Sequence, residues 1–586
     1  MPPSSRSPLL AALIAPVVLL GLTGRPGVWL GRPLIGGGTA DVWGHTWGYW
    51  WTARSLTHGR LPFMRAPVNH PQAQSWWVID LPVAAILTPI TEALGAGAAY
   101  NLAFALHAAI GAAAIAALIL RRGGRPWVGV MAGVVAATSP FVRGALVSGV
   151  PEALAVLLVP LLVLLLDAGL AGRRRHLLGA AALAVVLVLD GAYSAIAGAL
   201  AGTAALVAAV VGSKERMKVL ARSAAVALPA GLALFGLHTA LQYSQHPAMD
   251  RAEERMVDIG AAWALQPLCG SDLASWSVPA QLLPLVEPAT GHRHIVYVGL
   301  LLPVLLGVAA WRHKAARRPA LLALAAGVVA LGPALYVFGT ARSPAVLPGT
   351  ALWMAGATNL YRLAGLVPVM GLIGLACLRH KLVPVAIVAV ALEWLVGAPL
   401  PLRIPTTADP ASEVETWLAA QTDRGAVIDL PFDREGSGAR GPWPQRTFYL
   451  QSVHQRPIAS ALYRPTQVNE RSRSLSMFDR AITRAWRQES VPQGGRKPQR
   501  PARIPPPPSE TQQVSLNQKV FHVGFRYVTL DLDLVRPYQR ADAQAWLTAW
   551  LGEAEVVSSD EMRLVWTIPE APEPPPPPEQ TPPSTP

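Results

Sequence analysis

Thr39-Ala-Asp-Val-Trp-Gly-His-Thr-Trp-Gly-Tyr-Trp-Trp51 is the most informative stretch of this chain, and it follows the first long apolar run, Leu9–Leu22. It holds one acid, Asp41, and one imidazole, His45, among five aromatic side chains. Tryptophan and tyrosine are enriched where a bilayer meets water. The stretch therefore predicts a segment at a membrane surface, with Asp41 within reach of a lipid headgroup.

The composition is that of a membrane protein. Of the 586 residues, 52% are hydrophobic and only 14% are charged, against about 25% charged in an ordinary soluble domain. The mean hydropathy is +0.35, and apolar runs of spanning length recur through residues 1–400. We therefore predict an α-helical polytopic membrane protein.

About eleven apolar runs are long enough to cross a bilayer. They are 8–27, 98–120, 126–142, 151–169, 177–190, 192–212, 219–241, 295–311, 320–339, 360–378 and 382–399. The stretch around Asp190-Gly191 forms either two crossings or one broken or re-entrant helix. Asp190 itself is either a functional acid within the membrane or a residue at the outer surface. Residues 80–95 are interrupted by proline and predict an interfacial helix.

Basic residues between these runs set the predicted orientation. Five clusters all fall on the same side of the membrane as the N-terminus; they lie around Arg121, Arg173, Lys214, Arg312 and Arg379. The positive-inside rule makes that side cytoplasmic and accounts for much of the net charge of +14 without any nucleic-acid partner. The predicted location is the inner (plasma) membrane, with loop 28–97 and everything beyond about residue 400 outside the cytoplasm.

The C-terminal part predicts a small extracytoplasmic α/β domain. Ala426–Pro431, Phe525–Asp531 and Arg563–Ile568 have the composition of strands, and Ala543–Trp550 that of a helix. The predicted domains are 1–400 for the membrane domain, 401–570 for the α/β domain with a flexible Pro/Arg-rich insertion at 488–509, and 571–586 for a disordered Pro-rich tail.

Motifs for nucleotide and metal binding are missing from the sequence. No Walker, GxSxG, HExxH or CxxC pattern occurs, so the energy for any reaction must come with the substrate. The two cysteines, Cys269 and Cys377, do not form a zinc motif, and His292-x-His294 fits no standard ligand pair. No metal ligand is assigned from the sequence; no cofactor is expected with certainty, and a divalent metal stays possible.

Several motifs together resemble the GT-C superfamily of integral-membrane glycosyltransferases, and most closely its bacterial members with an extracytoplasmic C-terminal domain. In chain order they are Asp41, His45–Trp47, Trp50-Trp51, Gly59-Arg-Leu-Pro-Phe63, Pro71, Ala99-Tyr-Asn-Leu102, Ser139-Pro-Phe141, Ile428-Asp-Leu-Pro431, Phe448-Tyr-Leu-Gln451, His454-Gln-Arg-Pro-Ile458 and Gly524-Phe-Arg-Tyr-Val528. The resemblance implies transfer of a sugar from a polyprenyl-phosphate donor to an envelope glycan, lipid or protein acceptor, next to membrane lipid.

The resemblance also implies roles for particular residues. Asp41 matches the first-loop acid and would act as general base, whereas a helix N-cap is its plain structural alternative. His45 lies on the same face if 41–51 is helical, and would orient the acid or bind phosphate. Arg362 would contact the donor phosphate, or anchor its helix at the interface. The residues predicted to bind substrate are Arg362, Asp80, His70, Tyr361, Glu287 and His294.

Two other functions stay open at this stage. Members of the superfamily often carry a second acid next to the first, as Asp-x-Asp, but Asp41 is followed by Val42 and Trp43, which leaves a non-catalytic relative in envelope assembly as an alternative. The second alternative function is that of a transporter or lipid flippase. Such a protein would be expected to have internal repeats and polar residues at mid-bilayer, and the sequence shows no clear repeat.

Overall fold

The computed structural model describes residues 3–37, 40–62, 66–71, 73, 80–212, 215–243, 276–277, 297–332, 335–337, 340–343, 360–378, 380–398, 400–432, 446–460, 472–490 and 503–571. The chain forms two compact units. One comprises residues 1–64 and 75–409, and the other comprises residues 65–74 and 410–586. The second unit is therefore assembled from two separate stretches of sequence.

The described part of the first unit is built almost entirely from helices. They are α1 (Pro3–Gly21), α2 (Ala40–Thr57), α3 (Leu81–Ile86), α4 (Thr88–Leu94), α5 (Ala96–Arg121), α6 (Pro126–Ala137), α7 (Pro140–Ser148), α8 (Val159–Leu170), α9 (Arg174–Asp190), α10 (Ala192–Gly212), α11 (Arg216–Tyr243), α12 (Leu301–Arg312), α13 (Lys314–Ala330), α14 (Leu366–Ala376) and α15 (Val383–Gly397). Helices of the tighter 3-10 type cover Pro26–Leu30, Pro151–Leu158 and Leu360–Gly365. The short strands are β1 (Leu34–Ile35), β2 (Leu335–Val337), β3 (Thr340–Ser343) and β4 (Thr406–Thr407), with β1 antiparallel to β4 and β2 antiparallel to β3.

Five of the described helices are long and apolar enough to cross a membrane: Ala96–Arg121, Pro126–Ser148, Pro151–Leu170, Ala192–Val211 and Arg216–Gly236. The first three bury 67%, 67% and 78% of their apolar windows inside the protein, but the last two bury only 28% and 11%. Apolar helices that expose so much of their surface are typical of segments in contact with lipid. The predicted membrane protein is confirmed in kind, and the number of eleven spans stays a prediction.

Helices α9 and α10 are separate, and the break falls at Gly191. This glycine has φ 164 and ψ 170, an extended conformation that ends α9 at Asp190. The chain that enters α3 lies against this break, because the Asp80 N–H donates to the Asp190 carbonyl oxygen at 3.0 Å. The segment predicted as one interfacial helix, 80–95, forms the two short helices α3 and α4.

The start of α2 is held by the residues around Tyr100 and Asn101 at the beginning of α5. The Asn101 side-chain oxygen accepts the Ile35 N–H at 2.9 Å, and the Tyr100 hydroxyl donates to the Ile35 carbonyl at 2.7 Å. Gly149 then packs so tightly on Val42 that a Cβ there would lie 2.3 Å from the Val42 side chain, and its φ of +74 also favours glycine. The packing of Gly149 on Val42 holds the first turn of α2, which carries Asp41, and the bonds to Ile35 hold β1, which precedes the helix.

The described part of the second unit is a four-stranded sheet with helices. The strands are β5 (Ala426–Leu430), β6 (Phe525–Asp531), β7 (Val556–Val557) and β8 (Arg563–Thr567), and the helices are α16 (Glu413–Ala420), α17 (Arg446–His454), α18 (Arg473–Ser490), α19 (Glu510–Phe521) and α20 (Arg540–Leu551). The strand order is β5-β6-β8-β7, with β5 and β6 parallel and the other pairs antiparallel. The three predicted strands and the predicted helix are confirmed; β7 was not predicted.

Aromatic side chains fill the core of this second unit. Trp546, Trp566, Phe478 and Phe525 are all at most 1% exposed, and the rings of Phe478 and Trp546 are 4.6 Å apart between centroids. Such side chains bury about 150–250 Å² each and dominate the energy of a small core. Within the predicted insertion at 488–509 and the predicted tail, residues 491–502 and 572–586 lie outside the described residues.

A short segment from early in the chain completes the second unit. The N–H groups of Asn69 and His70 donate to the carbonyls of Ser460 and Ile458 at 2.7 and 3.0 Å. Residues 457–459 in turn pair with Val427 of β5. The described residues 66–71 therefore act as an added edge segment of this unit, and we call the stretch 65–74 the early strap.

Candidate active site in the first unit

Helix α2 carries both Asp41 and His45, as the sequence predicts for a helical segment. Asp41 lies in the first turn of the helix rather than before it, so it is not the N-cap residue. His45 follows one turn later, and both side chains lie on one face. A carboxylate in a first turn is also favoured by the helix dipole, which is the structural role open to Asp41.

Asp41, Tyr361 and Arg362 line one cavity. The remaining lining residues are Phe141, Ala145, Ser148, Val150 and Ala153, which are small or apolar except for one serine. The cavity therefore presents a carboxylate and a guanidinium against otherwise weakly polar walls, and charges act strongly on a ligand in such surroundings.

Glu152 organises the charged groups around this cavity. Its Oε1 accepts a hydrogen bond from Arg362 Nη1 at 2.7 Å, and its Oε2 lies 3.1 Å from Nε2 of His45. The side chains of Glu152 and Arg362 are only 6% and 14% exposed. Sequence reasoning missed Glu152, although an acid at the start of a spanning run was the signal that could have found it.

Arg362 is held from a second direction by an aromatic ring. Its Cζ lies 5.1 Å from the ring centroid of Tyr193, two residues into α10. A guanidinium over an aromatic face is attracted by the ring's negative face. The ion pair and the ring together restrict the orientation of the Arg362 side chain.

Asp80 lies in a second, fully buried cluster next to α2. It accepts a hydrogen bond from the hydroxyl of Tyr49, two turns after Asp41 on the same helix. Burial, followed by the nearby Asp190 carboxylate, raises the pKa of Asp80 well above its ordinary value. Asp80, His107 and Asp190 bring their ligand atoms within 4.8 Å of one another, so these three residues are the described group that could hold a metal.

The other predicted binding residues are not brought to the cavity by any described contact. His70 belongs to the second unit, where its Nε2 lies 2.7 Å from the Val523 carbonyl and its ring packs edge-on to Phe525. Burial lowers the pKa of His70. Glu287 and His294 lie outside the described residues. The roles assigned to these residues from the sequence stay predictions.

Comparison with known proteins gives a likeness of fold and little likeness of sequence. A family model described as "6-pyruvoyl-tetrahydropterin synthase related domain; membrane protein" matches residues 84–244. No curated protein matches the chain. Among solved structures, the chain is similar to arabinofuranosyltransferase AftD from Mycobacteria, with 16% identity and a TM-score of 0.51. A mutant form of AftD gives 17% identity and a TM-score of 0.52.

These matches cover 95% of this chain but only 40% and 41% of AftD, so the chain spans about two-fifths of that protein's length. An oligosaccharyltransferase from Archaeoglobus fulgidus, in complex with Zn and sulfate, matches at 13% identity and a TM-score of 0.43, covering 91% of this chain and 70% of that one. The likeness to AftD therefore shows a shared fold over most of this chain.

Proposed function

We propose that this protein is a membrane glycosyltransferase that takes a sugar from a polyprenyl-phosphate donor and transfers it to an envelope glycan, lipid or protein. The observation that carries the proposal is the shared cavity of Asp41 and Arg362. A base and a phosphate-binding cation in one weakly polar cavity are what such a transfer requires. The GT-C type of fold supports the same class of reaction.

In the proposed reaction, the acceptor hydroxyl attacks the anomeric carbon of the donor sugar. The new bond joins the acceptor oxygen to that carbon, while the bond from the carbon to the phosphate oxygen breaks. Asp41 takes the hydroxyl proton, and the electron pair of the broken bond leaves with the polyprenyl phosphate. A positioned general base contributes about 10²–10⁴-fold to the rate of such a step.

Arg362 is proposed to bind the phosphate and to stabilise the charge that grows on it as it leaves. A planar guanidinium suits two phosphate oxygens at once. Glu152 and Tyr193 hold Arg362 in place, and Glu152 also approaches His45 on the helix that carries Asp41. Glu152 is therefore a positioning residue that fixes the guanidinium and the base-bearing helix relative to each other.

The proposed location of the reaction is the outer face of the inner membrane, with the N-terminus in the cytoplasm. The basic clusters between the predicted spans support this orientation. Donor sugars carried on a lipid phosphate need no nucleotide in that compartment. The absence of a nucleotide-phosphate motif from the sequence agrees with this source of energy.

The test is sugar transfer from radiolabelled polyprenyl-phosphate donors by the purified full chain in lipid nanodiscs. Arabinofuranosyl polyprenyl phosphate is the first donor to try, since AftD is an arabinofuranosyltransferase; hexosyl donors follow. We expect Asp41→Asn to lower kcat by about 10²–10⁴-fold with little change in KM. We expect Arg362→Gln to raise KM and to lower kcat by about 10²–10³-fold.

Matched controls separate these effects from the loss of any charge. Glu92→Gln and Arg125→Gln remove exposed charges of the same types elsewhere in the first unit and should leave transfer unchanged. Donor binding without transfer by the wild type would favour a non-catalytic relative. Equal transfer by wild type and Asp41→Asn would exclude Asp41 as the base.

A further inference from the structure

Three buried side chains from separate elements converge beside the site just described. Asp80 begins α3, His107 lies within α5, and Asp190 ends α9. Their exposures are 0%, 1% and 1%, and their ligand atoms all lie within 4.8 Å of one another. The backbone bond from Asp80 to Asp190 holds two of the three segments together.

The orientation of His107 is fixed by its other ring nitrogen. Nδ1 lies 3.0 Å from the Ala103 carbonyl oxygen, which can only accept, so Nδ1 carries the proton of this bond. In the neutral ring, Nε2 then presents a lone pair, and it faces Asp80 Oδ1 at 3.9 Å. That distance is too long for a hydrogen bond.

When both carboxyl groups are ionised, the atoms that face one another are all acceptors, and no donor among the described residues reaches Asp80 Oδ1, His107 Nε2 or Asp190 Oδ2. With one proton between them, the Asp80 and Asp190 carboxyl groups are close enough to hydrogen-bond to each other. Burying acceptors without a donor is unfavourable, and more so when they are charged. A cation between them would satisfy all three. Ligand atoms at about 2.0–2.2 Å from a tetrahedral ion lie about 3.3–3.6 Å apart, so the 3.9 Å separation between His107 and Asp80 would have to shorten by a few tenths of an ångström on binding.

We propose that Asp80, His107 and Asp190 bind a divalent first-row transition-metal ion. The two carboxylates match the charge of such an ion, and one imidazole nitrogen with two carboxylate oxygens suits manganese or zinc better than calcium, which prefers oxygen ligands alone. The Tyr49 hydroxyl on Asp80 and the Ala103 carbonyl on His107 supply the outer partners that orient ligands in metal sites.

The proposed ion has a structural role distinct from the transfer reaction. Asp41 is not one of its ligands, and the three ligands belong to segments that are far apart in sequence. Binding would cross-link the entry to α3, the middle of α5 and the end of α9. The competing account is a proton shared between the two carboxyl groups, which needs no metal.

The test is a binding measurement on the full chain in nanodiscs, stripped with EDTA and titrated with Mn²⁺. Free Mn²⁺ is followed by electron paramagnetic resonance. In a second series Zn²⁺ competes with Mn²⁺, and the Zn²⁺ bound to the protein is measured by elemental mass spectrometry. We expect one saturable site per chain in the wild type. His313→Gln, which removes an exposed histidine, should bind like the wild type.

Removal of ligands should weaken binding by more than the loss of an outer partner, which costs about 10–100-fold. We therefore expect Asp190→Asn and His107→Gln to weaken Mn²⁺ binding by more than about 100-fold and Tyr49→Phe by about 10–100-fold. Absence of saturable binding in the wild type, for both Mn²⁺ and Zn²⁺, would overturn the proposal and favour the shared proton. Unchanged affinity in Tyr49→Phe and His107→Gln would also overturn it, and the wild-type titration decides even where a ligand variant does not fold.

Discussion

The ion pair between Glu152 and Arg362 gives the sharpest prediction for the stability of the first unit. Both side chains are nearly buried, and the charged atoms are 2.7 Å apart. Removing one member leaves the other charge buried and unpaired, which costs about 3–5 kcal/mol. We expect Glu152→Gln, which leaves the buried Arg362 without its carboxylate partner, to lower the free energy of unfolding by about that amount. Arg362→Gln should lower it by less, because His45 still lies 3.1 Å from Glu152.

The double variant distinguishes this cause from a general loss of packing. With both residues changed to glutamine, two neutral amides replace the ion pair and no charge is left without a partner. The double variant should then lose much less than the sum of the two single losses, with a coupling energy of at least about 2 kcal/mol. A loss equal to that sum would refute the reasoning.

The measurement is denaturation of the purified protein in mixed detergent and SDS micelles, followed by tryptophan fluorescence. A second ion pair serves as the matched control. Arg122 and Asp167 lie 3.5 Å apart with side chains 18% and 23% exposed. The same cycle there should give a coupling of at most about 1 kcal/mol, because water screens a more exposed pair.

Three further predictions concern the second unit, and hydrogen exchange of its sheet in the full chain checks each of them. Burial, with Arg563 and Arg456, lowers the pKa of His454 from 6.5 to about 3, so its contribution to stability is complete above pH 6.5 and is lost as the pH falls through about 3. His454→Gln should remove this loss of stability at acid pH. A variant that loses as much stability as the wild type over the same pH range would contradict the prediction. Burial raises the pKa of Asp429 from 3.8 to about 7, so its contribution to stability is present below pH 3.8 and is lost as the pH rises through about 7. In Asp429→Asn, the stability of the second unit should no longer fall with rising pH between these two values. Trp546→Ala should cost about 3–5 kcal/mol, as large core truncations do, and protection within 1 kcal/mol of wild type would count against the packing described.

The longer strands of the second unit followed from local sequence, but their arrangement did not. Ala426–Leu430 and Phe525–Asp531 are recognisable as strands because β-branched and aromatic residues are concentrated there. That they lie side by side and parallel depends on nearly a hundred intervening residues, which carry no periodic signal for pairing. The two-residue strand β7 is too short to stand out in sequence.

For the candidate site, the sequence singled out two charged residues whose side chains line one cavity, and their roles stay predictions. Asp41 and Arg362 each stood out as a charge beside apolar sequence, and the cavity brings them together. Glu152 was overlooked because it lies at the head of a spanning run that reads as plain hydrophobic core. Its partner Arg362 is 210 residues away, and no spacing rule connects two residues so far apart.

The early strap can join the second unit only after the C-terminal part of the chain has been synthesised. His70 bonds to Val523, which follows it by 453 residues in the chain. At about 5–20 residues per second, the strap leaves the ribosome roughly 20–90 s before this partner. For most of that interval the N–H groups of Asn69 and His70 lack the partners they have in the finished unit, because Ile458 and Ser460 have not yet been made. A C-terminal fragment that starts after residue 400 would lack the strap altogether, and folding of that fragment should be rescued by a peptide of residues 65–74 supplied in trans.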